Sequence, residues 1–205
     1  SENAFTQYKL RVELVLVRVL HRRGICSASA VAEVEAACRS ITIADVYKEE
    51  RRIGHDIRAL VNCIRNRVSE EARPLVHMTA TSYDIIDTAN ALRYGDVVKK
   101  ALVPALIKLE KELITITIRE AETEQIARTH GQHAVPITFG FALAEYVSRL
   151  GNSIEELKKL AAKLQGKFSG AVGAYNASFL FFDDPEGFEK EVLQELGLTT
   201  AEHST

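Results

Sequence analysis

Along residues 8–24, YKLRVELVLVRVLHRRG, apolar positions recur at helical spacing and the run closes at Gly24, which predicts an amphipathic helix. An Ala- and Glu-rich segment from about Ala28 to Arg39 predicts a second. Thr42 is placed to cap the next, IADVYKEERRIGHDIRALVNCIRNRV, in which Ile43, Val46, Ile53, Ile57, Leu60, Val61 and Ile64 mark an apolar stripe. That stripe reads as one helix with His55 inside it. SEEARP is a loop, and after LVHMTATS a further helix runs through YDIIDTANALRYG.

From Asp96 the pattern changes: Val98, Leu102, Ala105, Leu109, Leu113 and Ile116 hold helical register through VVKKALVPALIKLEKELITITIREAETEQIA. Pro104 starts a fresh turn there or kinks the helix. A polar loop, ARTHGQHAVPITFG at residues 127–140, leads into a second long helix, FGFALAEYVSRLGNSIEELKKLAAKLQG. A small-residue turn, SGAVGAYNAS, precedes a last helix that starts at Asp184-Pro185 and stops at Gly197. No alternating strand pattern of useful length and no internal repeat is visible. The pattern therefore predicts an all-α protein with a smaller N-terminal helical domain (residues 1–95) and a long-helix bundle (residues 96–205) incomplete at its C-terminus. The two long helices exceed the usual length, and stripes as broad as theirs cannot cover each other, which predicts self-association.

Composition narrows the class. A hydrophobic content of 46% against 26% charged residues suits a soluble globular chain, and a net charge of −2 with mixed signs excludes a nucleic-acid footprint or a polybasic membrane arm. Cys26, Cys38 and Cys63 show neither pairing parity nor ligand spacing, so they read as reduced thiols of a cytosolic protein. No apolar run approaches a membrane span and no basic-then-apolar leader is present. SENAFTQYKL opens abruptly into a helix, as if residues upstream were missing.

Three polar clusters carry candidate chemistry. In IGHDIRA, Asp56 suits orienting an imidazole, contacting a substrate hydroxyl, or a surface ion pair. In VHMTATSYDIIDTA, Thr79, Thr81, Ser82 and Asp84 crowd a helix start, with His77 just before. Those hydroxyls either cap the helix or, with the free N–H groups of its first turn, seat a carboxylate or phosphate. In the loop at 127–140, His130 and His133 lack a third ligand at metal spacing, and no nucleophile turn is near. General acid–base work fits that loop better, since histidine titrates near neutrality, while Thr129 and Gln132 offer neutral hydrogen bonds beside Gly131.

These clusters, in this order and on long helices, resemble the fumarase/aspartase superfamily of lyases. HDIRALV, ATSYDIIDTA and RTHGQHAVPITFG are most similar to its adenylosuccinate lyase family, over roughly residues 6–205. The resemblance implies β-elimination of fumarate from adenylosuccinate, leaving AMP, and the matching cleavage of a succinyl-carboxamide ribotide. It implies no cofactor and no metal, small-molecule substrates only, a cytoplasmic homotetramer, and active sites assembled from several subunits. Carried over by position, His130 is the general acid to the leaving nitrogen. His55 supports it or contacts the nucleotide, Gly54 and Asp56 line the pocket, and Thr81 and Ser82 hold an anionic part of the substrate. His77, Thr129 and Gln132 are further contacts. The Thr-His-Gly match falls on His130, not His133.

The match departs in places. The family's catalytic-base signature, Ser-Ser-x-Met-Pro-x-Lys-x-Asn, does not occur, and neither does its N-terminal Arg-Tyr pair. The expectation is a fragment cut from both ends, with no turnover of its own. Thr79 stands where the family often has Gly, Tyr83 is bulky within the TS-x-D pattern, and His133 replaces a common proline. Another superfamily lyase or cycloisomerase, or a helical assembly module without catalysis, stays open on the residues alone.

Overall fold

In the computed structural model, which describes residues 1–204, Ser1 caps α1 (Glu2–Arg22) by accepting the Ala4 N–H. The chain divides into two units, one of Ser1–Arg93 with the segment from Leu164 onward, the other of Tyr94–Lys163. The sequence-based division left all of residues 96–205 in the second unit. Instead, residues from Leu164 return to the first, because β3 (Gln165–Gly166) pairs in parallel with β4 (Thr199–Thr200) and Phe168 enters the first unit's core.

That core is built around α1. Leu10, Val12, Leu16, Val17, Val19 and Leu20 are at most 1% exposed. At about 1.5–3 kcal/mol for each buried aliphatic side chain, this helix alone contributes on the order of 10 kcal/mol of gross burial. Around it lie α2 (Ala28–Ser40), capped by Ser27, and α3 (Ile43–Ile53), which opens with a full capping box between Thr42 and Asp45. The apolar stripe from Ile43 to Ile64 is not one helix. Gly54 adopts a left-handed conformation (φ 74°) that ends α3, and α4 (Asp56–Arg65) starts anew. His55 therefore sits at a helix start, its Nδ1 accepting the Arg58 N–H at 3.2 Å, and not inside a helix as expected. A 3₁₀ turn at Arg73–Leu75 leads to α5 (Ser82–Val97). On the C-terminal side, α8 (Pro185–Leu196) begins at Asp184, which caps Gly187, and ends at Gly197. Phe188 of α8 stacks on Phe182 at 4.1 Å between ring centroids and meets Phe168 edge-on.

The second unit begins within α5, which runs unbroken past Gly95 where a boundary was expected. A π turn (Val98–Leu102) follows, with the Val103 N–H bonded to the Val98 carbonyl, and α6 (Val103–Arg119) carries Pro104 in its first turn. Pro104 has no N–H for a regular helical bond, and the widened turn accommodates it. The helix then stops at Arg119, short of the expected span. The polar stretch read as a loop is a hairpin: β1 (Glu124–Thr129) pairs antiparallel with β2 (Gln132–Thr138). Weak alternation on two largely exposed strands hid it from the hydrophobic pattern. Thr138 caps α7 (Phe139–Ala162), which returns along α6.

Only a narrow seam of α6 and α7 is covered. Val103, Ile154 and Ala161 are buried, while Leu109, Ile114, Ile118, Phe141 and Leu160 stay exposed. The backbones approach closely at Gly140, where a β-carbon would lie 2.5 Å from the Thr117 carbonyl oxygen and 2.8 Å from Ala121 Cα. Both neighbours are backbone and cannot move aside. Gly140→Ala is expected to destabilise this unit by about 1–3 kcal/mol, measured by denaturant unfolding; an unchanged midpoint would contradict the close approach.

Candidate functional site

The hairpin presents the third cluster. Arg128 faces His133 and Thr129 faces Gln132 across the ladder, leaving His130 and Gly131 as a two-residue turn. Both have positive φ, 52° and 72°, the pattern whose twist matches a β-hairpin. No atom lies within 4 Å of where a Gly131 β-carbon would stand, so glycine is suited here by conformation and not by space. His130 holds a left-handed backbone without that freedom. Non-glycine residues so placed are uncommon and gather at functional sites. Thr129, His130, Gln132 and His133 are all exposed, and among the described residues none of their side chains takes part in a hydrogen bond.

The first and second clusters lie in the other unit and meet on α1. Lys9 and Glu13 stand one helical turn apart, so they share a face. Lys9 Nζ approaches Asp56 Oδ2 at 3.8 Å, and Glu13 Oε1 lies 2.6 Å from His77 Nδ1. Asp56 Oδ1 also lies 3.6 Å from His55 Nδ1, so the carboxylate stands between the ammonium and an imidazole. Glu13 is fully buried, and its Oε2 has no hydrogen-bond partner among the described residues. Arg65 of α4 donates from Nη2 to the Val76 carbonyl at 3.0 Å, tying the residue before His77 to the same core. His77 and Thr79 both have left-handed backbones, with φ of 65° and 63°.

At the start of α5 the hydroxyls do not cap. Asp84 Oδ2 accepts the Thr81 N–H at 2.8 Å, one half of a capping box. Among the described residues, no hydrogen bond engages the Thr81 or Ser82 hydroxyl, and both residues are half-buried. Asp84 does more. Its Oδ1 receives Lys167 Nζ at 2.9 Å and the Gly170 N–H at 3.3 Å, while Lys167 Nζ also donates to the Gly170 carbonyl at 2.8 Å. Thr88 Oγ1 accepts the Lys167 N–H and donates to its carbonyl. The Asp84 side chain is 0% exposed and that of Lys167 5%, so this ion pair fastens the Thr81–Ser82 turn to the turn at Gly170 from inside the core.

Burial by itself would lower the His77 pKa, but the Glu13 carboxylate more than offsets it and the value rises above the ordinary one; Asp84 adds to the rise and Arg65 opposes it. Burial lifts Asp84 above the usual carboxylate range against the pull of Lys167 and the two N–H groups. Burial also raises the Cys38 thiol to about 12, which keeps it protonated and unreactive. Among the described residues no three His, Cys, Asp or Glu side chains gather as a metal site would need.

Three partners were not singled out from sequence: Lys9, Glu13 and Lys167. Glu13 had a readable signal, since an acid in VELVLV occupies the apolar face shared by Leu10, Leu16, Val17 and Leu20. Lys167 had none.

The chain matches a lyase family over residues 2–205. It is 35% identical over 202 residues to the adenylosuccinate lyase of Archaeoglobus fulgidus, covering 98% of this chain and 44% of that protein. It is 30% identical over 194 residues to an N-acetyl-S-(2-succino)cysteine lyase of Enterococcus italicus, covering 93% and 41%. Among solved structures, the 3-carboxy-cis,cis-muconate lactonizing enzyme of Pseudomonas putida superposes with a TM-score of 0.88 at 28% identity, over 99% of this chain and 47% of that one. The chain thus spans less than half the length of each of these proteins.

Thr79 is held at positive φ although it is β-branched, and its buried Oγ1 has no hydrogen-bond partner among the described residues. A left-handed backbone costs such a residue about 1–2 kcal/mol, more than the roughly 0.5–1 kcal/mol of extra chain entropy that glycine loses on folding. Thr79→Gly is therefore expected to raise the unfolding free energy by about 1 kcal/mol. A urea titration checks this, and a lowered midpoint would contradict it.

Proposed function

The chain belongs to the lyase family of the fumarase/aspartase superfamily, and from that membership we propose that it supplies part of the active site of an adenylosuccinate lyase. The observation that carries the reading is His130 at the left-handed tip of an exposed hairpin, within RTHGQ, with its ring in no hydrogen bond among the described residues.

The reaction is a β-elimination. A base outside the residues assigned here removes a proton from the carbon beside a carboxylate. The electron pair moves to form the C=C bond of fumarate as the C–N bond breaks, and the departing nitrogen takes a proton. His130 supplies that proton as an imidazolium. Thr81 and Ser82, with free hydroxyls at the N-terminal end of α5, hold an anionic group of the substrate, where the helix dipole favours negative charge. Donors fixed there act most strongly on the charge that builds in the transition state. His55, Gly54 and Asp56 line the nucleotide side, and His77, Thr129 and Gln132 complete the contacts. The substrates are adenylosuccinate and the succinyl-carboxamide ribotide of purine synthesis, and the setting is the cytoplasm. No helix among the described residues is long and apolar enough to cross a membrane.

The exposed apolar residues of α6 and α7 support assembly into a homotetramer, with His55 and His130 of one site coming from different subunits. The likeness to an N-acetyl-S-(2-succino)cysteine lyase favours one second reading, cleavage of a succinyl thioether by the same elimination. A substrate panel separates the two.

The test uses the full-length polypeptide that carries this chain. His130→Gln is expected to lower kcat for adenylosuccinate cleavage by about 10²–10⁴-fold. Mixing it with His55→Gln after subunit exchange is expected to restore activity above either variant alone. An unchanged kcat for His130→Gln would overturn the assignment, and no recovery after verified exchange would overturn shared sites.

A further inference from the structure

We propose that Glu13 is a positioning residue that holds His77 as an imidazolium, making it a cationic seat for a carboxylate or phosphate oxygen of the substrate. This deepens the role given to His77 above and rests on that reading.

The geometry carries it. Glu13 is wholly enclosed by the core around α1, and its side chain's only hydrogen bond among the described residues is the one to His77 Nδ1. An ionised carboxylate so placed is costly unless an opposite charge compensates it, and the imidazole in contact with it provides that charge by taking a proton. Because Nδ1 is engaged, Nε2 is the one ring nitrogen without a hydrogen bond among the described residues. A neutral ring with its hydrogen on Nδ1 would offer only an acceptor at Nε2 and would repel an anion. The same ring protonated offers an N–H and a positive charge, so Glu13 decides what His77 can bind.

The backbone helps to aim the ring. His77 is fixed in a left-handed conformation by the tight turns around it, with the Met78 N–H bonded to Leu75 and the Ala80 N–H to His77. The charged groups facing the ring are Glu13 from α1, Asp84 from α5 and Arg65 from α4, of which the first two favour the proton and Arg65 opposes it. Since the folded value lies above the ordinary one, the seat is fully charged below the ordinary range and is lost as pH rises through the elevated value.

The test has two arms. In the 15N-labelled chain, long-range 1H–15N spectra followed against pH are expected to show His77 losing its ring proton at a midpoint above that of an ordinary histidine. Glu13→Gln is expected to move the midpoint below the ordinary histidine value, and Glu13→Asp to restore part of the elevation. A wild-type midpoint at or below the ordinary histidine value overturns the proposal, whether or not the variants fold, as does an equal midpoint in Glu13→Gln.

In the full-length enzyme, Glu13→Gln is expected to raise KM for adenylosuccinate about tenfold, a loss of about 1.4 kcal/mol of binding, with kcat nearly unchanged. Adding His77→Gln should do no further harm, and additive effects overturn the coupling. Competition by inorganic phosphate or by fumarate, weakened in Glu13→Gln, tells which anionic group uses the seat; weakening of neither overturns the seat. If His77→Gln leaves KM untouched, His77 drops out of the proposed active site, while the spectra judge its pairing with Glu13 separately.

Discussion

The first unit is organised by an ion pair that water does not reach. Asp84 and Lys167 are separated by more than eighty positions in sequence and meet at 2.9 Å with almost no exposure. Two charges so deeply buried are tolerable only when their remaining hydrogen-bonding capacity is filled. Here most of it is: the Thr81 N–H and Gly170 N–H go to the carboxylate, and the Gly170 carbonyl takes a second hydrogen of the ammonium. The pair therefore does more than neutralise itself. It fixes where α5 begins, and it frees the Thr81 and Ser82 hydroxyls from the capping work that such residues usually do. It also explains why the segment after Leu164 returns to the first unit, since Lys167 and Phe168 each need a place in that core.

α1 supplies the second half of the arrangement. A helix buried on nearly every side would ordinarily carry apolar residues alone, yet Lys9 and Glu13 interrupt it on one face. Each reaches a polar cluster, Lys9 at Asp56 and Glu13 at His77. The result is a rigid apolar scaffold in which charged groups occur where they can orient other charged groups. The hairpin of the second unit follows a different logic. Its tip is exposed, with no side-chain hydrogen bond among the described residues, and its order comes from strand pairing and from two consecutive positive-φ residues.

Much of this was legible in the sequence, and the reasons for the failures are specific. Helix ends marked by side-chain chemistry were readable: the Thr42 cap, the Asp184-Pro185 start, the glycine stops at Gly24 and Gly197, and the disturbance before Pro104. Gly54 was misjudged because the apolar stripe continues in register across it, and periodicity cannot see a break that costs no register. The hairpin was missed because neither strand buries a face, so no alternation had to be encoded. Of the proposed site, the residues in motifs could be named, but their supports could not. The contact between His77 and Glu13 spans 64 positions, and the one between Asp84 and Lys167 spans 83, separations that local patterns do not report.

The central claim is that the buried Asp84–Lys167 pair holds the α5 start in place, and a double-mutant cycle on unfolding free energy tests it most directly. Lys167→Met alone leaves a buried carboxylate unpaired and is expected to cost about 3–5 kcal/mol. Adding Asp84→Asn removes that charge while keeping an acceptor for the Thr81 N–H, so the double variant should be clearly more stable than Lys167→Met. A loss below about 0.5 kcal/mol for Lys167→Met, or costs that simply add, would contradict the account.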